Sequence, residues 1–197
     1  MAIYKFSIFT TLALSAIGGT AYANDHSLEN LSFTGPLLTP GAVALPPGTI
    51  NVEPYLVYAD DHVVYDAHGH RHTTPSGTRS WTWLVPTTIG ITDRFSAAVT
   101  IGAVSAASAG MHTNGARIAD TTLKLQYMLL APSDDGTRPA VSIAYAHRFP
   151  TGAFDHLDAN PLNGSGNGAN VDTLSLFAQK VAWMPNGRPL RMRTYLA

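Results

Sequence analysis

The sequence predicts an all-β fold, an antiparallel outer-membrane β-barrel of which about seven strands are visible. Two patterns lead to this prediction: apolar and polar residues alternate in seven separate stretches, and the connections between those stretches are long and short in turn. A third observation is the charged fraction of 13%. This is about half of the roughly 25% found in soluble domains, so few charges are left for a surface in water.

The first 23 residues predict a secretory signal peptide. Lys5 supplies a positive charge, Phe6–Ile17 form an apolar core, and the small-x-small pattern "AYA" ends at Ala23. The apolar core is shorter than the about 20 residues that a membrane-spanning helix needs, which disfavours an N-terminal anchor. We therefore expect an exported mature chain that begins at Asn24. Because it contains no Cys, a disulfide-stapled secreted scaffold is excluded.

Beyond the signal peptide, the sequence divides into two parts. Pro and Gly interrupt residues 24–48 so often that no period of either kind is sustained, which predicts an irregular segment. Residues 49–197 carry the predicted barrel strands. No convincing helical period occurs after the signal peptide.

Seven strands are predicted from alternation with a period of two residues. In the first, Thr49–Tyr58, the apolar side chains of Ile50 and Val52 face away from Glu53, and Pro54 disfavours a central place in a sheet. The other six predicted strands span residues 80–89, 94–104, 122–129, 140–149, 171–183 and 190–196.

The connections between the predicted strands alternate in length. The short ones are Gly90–Asp93, Ala131–Pro139 and Met184–Pro189, and the long ones are Ala59–Thr78, Ser105–Arg117 and Pro150–Asn170. Short turns at the periplasmic rim and longer loops outside are typical of outer-membrane barrels.

Aromatic residues fall at two levels in this arrangement. The outer level holds Tyr58, Trp81, Trp83 and Phe149, and the inner level holds Phe95, Tyr127 and Trp183. Aromatic rings at both lipid interfaces are typical of membrane barrels, although aromatics also flank strands in other all-β proteins.

The direction of the apolar faces separates two classes of protein. In a soluble periplasmic or secreted β-sheet binding protein the apolar side chains would point into a core, whereas in a barrel they would point at lipid. The opposite faces carry Thr, Ser, Gln, Lys and Arg, which a polar lumen explains better than a soluble sandwich does. The sequence therefore favours the barrel, with bacterial outer-membrane lipid as its surroundings.

Four stretches resemble a known family: "LPPGTINVEPYLVY", "GITDRFSAAV", "DTTLKLQYMLL" and "RPAVSIAYAHRFPTGAFDHL". They are similar to the outer-membrane transporter family named after the meta-pathway of phenol degradation. The resemblance runs from about Leu31 to the end of the chain. It implies a β-barrel that acts as a passive channel for small compounds, aromatic ones among them, and it carries no set of catalytic residues.

The chain departs from that family at its C-terminus. Members are longer, and outer-membrane barrels in general typically finish on an aromatic residue that assists assembly, whereas the last residue here is Ala197. About seven strands is also an odd number, while a single bacterial chain closes a barrel with an even number. We therefore expect a chain truncated at the C-terminus, an incomplete barrel.

The lumen-lining candidates are five charged residues on the polar faces of predicted strands. They are Glu53, Lys124, Arg148, Arg191 and Arg193. Four of the five are cationic, which favours anionic solutes such as aromatic carboxylates, because charges that line a lumen bias its selectivity. The alternative is a structural network of salt bridges that fills the lumen.

A metal site is a further candidate in the first long loop. His68, His70 and His72 form a His-x-His-x-His pattern, which on an extended backbone places three imidazoles on one side. The alternative is a hydrated polar loop whose His side chains do not converge.

Enzyme, cofactor and nucleic-acid functions have little support. No G-x-S-x-G nucleophile motif is present, so we expect no enzyme and no cofactor. A net charge of -1 provides no basic surface for nucleic acid.

Overall fold

The computed structural model describes residues 9–11, 40–74 and 76–197. This part of the chain is all-β, and the bounds of its strands are as follows: β1 (Phe9–Thr11), β2 (Ile50–Val52), β3 (Tyr55–Asp60), β4 (Val63–Tyr65), β5 (Arg71–Thr73), β6 (Thr78–Gly90), β7 (Phe95–Ser108), β8 (Met111–His112), β9 (Arg117–Ile118), β10 (Thr121–Leu130), β11 (Ala140–Phe149), β12 (Val171–Trp183) and β13 (Pro189–Leu196). One 3-10 turn spans Pro161–Asn163. In the described ranges, no helix is long and apolar enough to cross a membrane.

The main sheet is antiparallel and curls into a half-barrel. Its strands follow the order β1-β3-β6-β7-β10-β11-β12-β13, with β2 also on β6 and with β8 and β9 on β7. The hairpin of β4 and β5 stands apart from this sheet. The predicted all-β antiparallel fold and its seven strands are thus confirmed, whereas the arrangement observed over the described residues is a half-barrel and not a closed barrel.

The first predicted strand is divided at Pro54 into β2 and β3. Both parts pair with β6 in one continuous register, since Val52 lies opposite Thr87 and Tyr55 opposite Leu84. Between them, the backbone N–H of Glu53 donates to the carbonyl of Pro86 at 3.0 Å. The division therefore reflects the missing N–H of proline and involves no shift in pairing.

The edge beside β3 is covered by β1, which pairs antiparallel with it. β1 lies inside residues 1–23, so cleavage of the predicted signal peptide would remove it and expose the edge of β3. The rest of that segment, and residues 24–39 of the predicted irregular segment, lie outside the described residues.

Alternate residues of each strand face opposite sides of the half-barrel. Leu125 on β10 lies opposite Ala97 on β7 and Tyr145 on β11, and cross-strand partners share a face. This convex face is apolar and exposed across the sheet; its large side chains include Trp83, Val99, Ile101, Leu123, Leu125, Ile143, Leu174, Leu176, Leu190 and Met192. Gln126, the next residue on β10, faces the concave side and is buried.

The buried core is small. In the described part of the chain, the only buried hydrophobic residues larger than Ala are Met128, Phe177 and Val181. A soluble domain of this size removes most of its large apolar side chains from water. Here those side chains lie instead on the outside of the sheet.

Residues Pro40–Leu45, which we call the strap, lie against the concave face without regular structure. Ala42 is fully buried in a cluster with Ala140, Ala144 and Phe177 of the sheet. Residues 40–48, the described part of the segment predicted to be irregular, contain no strand or helix. The sequence pattern did not indicate that this segment would lie inside the half-barrel.

Side chains and a glycine hold the short turns. In the β12–β13 turn, which lies in the short connection predicted at Met184–Pro189, Gly187 has φ of +75°, a conformation that favours glycine. In the β10–β11 turn the carboxylate of Asp135 accepts hydrogen bonds from the backbone and hydroxyl of Thr137. A hydrogen bond from the Ser133 hydroxyl, and then the two from Thr137, lower the pKa of Asp135.

Most aromatic residues take the predicted levels on the convex face. Tyr58 and Trp81 are cross-strand partners with ring centroids 4.8 Å apart, and Phe95 lies opposite Tyr127 at the other end of the strands. Trp183 differs, because it shares its face with the buried Val181, and its indole N–H donates to the carbonyl of residue 135 at 2.8 Å. It lies at the predicted level but on the concave side.

Candidate functional site

All five lumen-lining candidates lie on the concave face. Glu53 joins β2 to β3, Lys124 is on β10, Arg148 is on β11, and Arg191 and Arg193 are on β13. β3 and β13 lie near opposite edges of the sheet, yet the charges of Glu53 and Arg193 are close enough to interact. The curvature of the half-barrel therefore brings residues about 140 positions apart in sequence within electrostatic range of each other.

Neighbouring side chains fix the carboxylate of Glu53. One oxygen accepts a hydrogen bond of 2.9 Å from the amide of Asn51, and the other accepts one of 3.0 Å from the hydroxyl of Tyr55. Residues 51, 53 and 55 share a face because side chains of a strand alternate. The carboxylate therefore has a defined position on the concave wall.

The cations of β13 lie opposite β12. Gln179 is the register partner of Arg193, and its side-chain oxygen accepts a hydrogen bond of 3.1 Å from Nε of Arg193. Arg191 lies two residues along on the same face, within electrostatic range of Arg193. These side chains form the cationic side of the site.

Lys124 approaches from β10. Its ammonium nitrogen lies 5.7 Å from the ring centroid of Phe177, a cation–π contact, and its charge interacts with that of Glu53. Phe177 is almost completely buried. We call Glu53, Lys124, Arg191 and Arg193 the charged cluster.

Arg148 is separate from the charged cluster. Its Nε lies 4.0 Å from a carboxylate oxygen of Asp120, a nearly buried side chain. The same carboxylate accepts backbone hydrogen bonds from Gly152 and Asn167, which belong to the third long loop. Arg148 therefore contacts the group that holds this loop to the end of the sheet.

Sequence reasoning missed the neutral residues of the site. Alternation along the strands could have placed three of them, Tyr55, Gln179 and Phe177, on the same polar side as the charged residues. Their contacts depend on the register of β12 with β13 and on the curvature of the sheet. Neither is visible in the local pattern.

The charged cluster has a clear chemical character. It places Lys124 and Arg193 within electrostatic range of the Glu53 carboxylate and Arg191 within range of Arg193, so the excess charge is positive. An excess of positive charge attracts anions and repels cations.

The predicted metal ligands lie elsewhere, in the hairpin of β4 and β5. Asp66 accepts backbone hydrogen bonds from His68 and His70, both at 2.9 Å, so His68 sits in a turn and not on an extended backbone. The ring nitrogens of His70 and His72 lie 3.3 and 3.1 Å from the same oxygen of Asp66. Among the residues described, no group of three or more His, Cys, Asp or Glu side chains is arranged to hold a metal ion.

The Asp66 contacts make the hairpin dependent on pH. Hydrogen bonding, chiefly from His72 and then from the backbone of His70, lowers the pKa of Asp66 from 3.8 to about 2. A lowered pKa means that the contribution of this carboxylate to stability is complete above about pH 4 and is lost as the pH falls through about 2.

We expect the Asp66 carboxyl carbon to titrate near pH 2 by nuclear magnetic resonance in detergent micelles, and Asp66→Asn to loosen the hairpin at neutral pH. A titration near pH 4, or a hairpin equally ordered in Asp66→Asn and in the control Asp93→Asn, would contradict this assignment.

Comparisons with protein-family models, with curated proteins and with solved structures find no match for the chain. The resemblance to the transporter family therefore stays a prediction.

Proposed function

We propose that this chain forms the wall of a bacterial outer-membrane β-barrel, a passive channel in which the charged cluster favours small anionic solutes. The observation that carries the proposal is the reversed distribution of side chains on the half-barrel. Large apolar residues cover the convex face, whereas charged, amide and hydroxyl groups lie on the concave face. This distribution of side chains is the one expected of a barrel that has lipid around its outer face and a polar lumen inside.

The height of the apolar band is consistent with a bilayer. On the convex side of β12, Asp172 and Lys180 flank Leu174 and Leu176. These two charged residues are eight positions apart, which corresponds to about 26 Å along a strand. A tilt of about 40° reduces this distance to about 20 Å of height, close to the apolar band of about 25 Å in such barrels.

Polar partners gather where that band ends. The carboxylate of Asp172 accepts hydrogen bonds from the Tyr145 hydroxyl and from Nδ1 of His147, the latter at 2.7 Å. Near the other edge of the sheet, Arg79 forms a salt bridge of 3.6 Å with Asp60 beside the Tyr58–Trp81 pair. Charged and aromatic groups at one level support an interface between lipid and water there.

A channel in lipid requires closure of the sheet. Over the described residues, β13 pairs with β12 on one side only. Backbone groups without partners cost several kcal/mol each in a bilayer, so the proposal includes further strands that pair with β13. Insertion would take place through the outer-membrane assembly machinery.

The test is the behaviour of the native product in isolated outer membranes on a denaturing gel, with and without boiling. We expect a band whose mobility changes on boiling, because a closed barrel resists the detergent until it is heated. The mass of the boiled band, compared with the 20.9 kDa of this chain, would also report whether the closing strands belong to the same polypeptide. A product found in the soluble periplasmic fraction, with a mobility unchanged by boiling, would contradict the proposal and favour a soluble β-sheet binding protein.

A further inference from the structure

The strap, Pro40–Leu45, makes specific contacts with the inner wall. Nε2 of Gln126 donates a hydrogen bond of 3.1 Å to the carbonyl of Gly41, and the hydroxyl of Ser142 donates one to the carbonyl of Ala42. Gln126 and Ser142 are both almost fully buried. Two adjacent carbonyls of the strap are therefore bound to two different wall strands, β10 and β11.

The strap also lies against the charged cluster. A Cβ atom added to Gly41 would lie 3.5 Å from Oε1 of Gln179 and 3.8 Å from a guanidinium nitrogen of Arg193. A small side chain at position 41 would therefore be in van der Waals contact with the pair that forms the cationic side of the site. The strap thus lies directly beside Arg193.

The strap is anchored beyond its C-terminal end at the end of β6. The backbone N–H of Gly48 donates to the carbonyl of Gly90, and the N–H of Gly90 donates to the carbonyl of Thr49, both at 2.9 Å. A Cβ atom at Gly90 would overlap the carbonyl oxygens of Leu45 and Pro46. A side chain at position 90 is therefore incompatible with the observed path of this segment.

Burial alternates along the strap as it does along a strand. Ala42 is fully buried and Ala44 is 8% exposed, whereas Val43 is 40% exposed. Only small side chains face the wall, so the backbone approaches closely enough for the Gln126 and Ser142 bonds. The larger Val43 side chain points away from the wall, toward the interior.

We propose that the strap is an internal plug of the channel, held against the wall by the Gln126 and Ser142 hydrogen bonds, and that its release widens the solute pathway past the charged cluster. This inference rests on the proposed channel function. If the Gln126 and Ser142 hydrogen bonds break, the strap can leave the wall while its backbone hydrogen bonds to Gly90 remain. Removal of both side-chain donors should shift the equilibrium between the bound and the released strap toward the released form by roughly 5- to 30-fold.

The test combines Gln126→Leu with Ser142→Ala, which removes both donors with little change in volume at position 126. Because the chain has no Cys, Ala42→Cys introduces a unique thiol that reports release through its reaction with a water-soluble maleimide. Ala44→Cys is the second reporter if Ala42→Cys does not assemble. The control is Ser108→Ala, which removes a hydroxyl-to-carbonyl bond of 2.9 Å to residue 76 outside the strap.

Both readouts use the complete protein, purified from outer membranes and reconstituted in lipid. We expect the double variant to raise the rate of thiol modification roughly 5- to 30-fold and to raise single-channel conductance, while Ser108→Ala changes neither. A faster reaction with an unchanged, non-zero conductance would overturn the plug and leave the channel intact. An unchanged reaction rate would also overturn it. A faster reaction with no conductance in any variant would overturn the plug together with the proposed channel.

Discussion

Replacement of Leu125 by Arg is expected to destabilise the protein in lipid by about 2–4 kcal/mol, the cost of an arginine at the bilayer midplane on the outer face of a barrel. Leu125 is in the middle of β10 and is 39% exposed on the convex face. Its neighbours across the sheet are Ala97 and Tyr145, and the hydroxyl of Tyr145 is already hydrogen-bonded to Asp172. On a surface exposed to water the same change would cost within about 0.5 kcal/mol.

The comparison of two positions makes this prediction sharper. Leu129 lies on the same strand and face, nearer the end of β10, so Leu129→Arg should cost about 0–1 kcal/mol. Denaturant unfolding in phospholipid vesicles measures both values, and the fraction of heat-modifiable product measures assembly in cells. Equal stabilities of wild type, Leu125→Arg and Leu129→Arg would show that the convex face meets water, and the channel proposal would then fail.

The seven strands with sustained alternation could be predicted because alternation is a local property, whereas the two- and three-residue strands β1, β4, β5, β8 and β9 were not predicted. The predicted strand at residues 171–183 has the same bounds as β12, and the prediction at 140–149 coincides with β11. Longer strands than predicted occur where the pattern weakens, as in β7, which continues to Ser108 through small residues. In these small residues the apolar and polar faces differ too little for alternation to mark the end of the strand.

The assembly of the site depends on non-local geometry. The proximity of Glu53 to Arg193 results from the curvature of a sheet that holds them near opposite edges. Arg148 lies on the same face as the charged cluster, but it contacts Asp120 at the loop end of the sheet. Alternation along a strand predicts the face on which a residue lies, whereas its partner on that face depends on strand register and side-chain direction.

Two further features could not be predicted for a different reason. The strap has no period, and its position results from two wall donors, Gln126 and Ser142, that are distant in sequence. The His hairpin was expected to be extended, but Asp66 binds the backbone of His68 and His70 and creates a turn. Side-chain-to-backbone bonds of this kind compete with extended structure and leave only a weak sequence signal.

Charge substitutions in the charged cluster are expected to change ion selectivity in opposite directions. Lys124→Gln and Arg193→Gln each remove a positive charge from the concave face and should lower the preference for anions. Glu53→Gln removes the carboxylate and should raise it, while the amide can still contact Tyr55. Arg94→Gln is the matched control, because Arg94 is exposed in the short turn before β7 and has the same charge as Arg193.

The size of the effect follows from Coulomb's law. One unit charge at about 7 Å in water changes the energy of a monovalent anion by about 0.6 kcal/mol, which corresponds to roughly a threefold change in its local concentration. The measurement is the zero-current potential of the reconstituted channel under a gradient of potassium chloride. A shift toward cation selectivity in Lys124→Gln and Arg193→Gln, a shift the other way in Glu53→Gln and none in Arg94→Gln would identify the charged cluster as the selectivity element. If all four variants keep the wild-type potential, these charges instead form a structural network that moving ions do not sense, and the preference for anionic solutes is wrong.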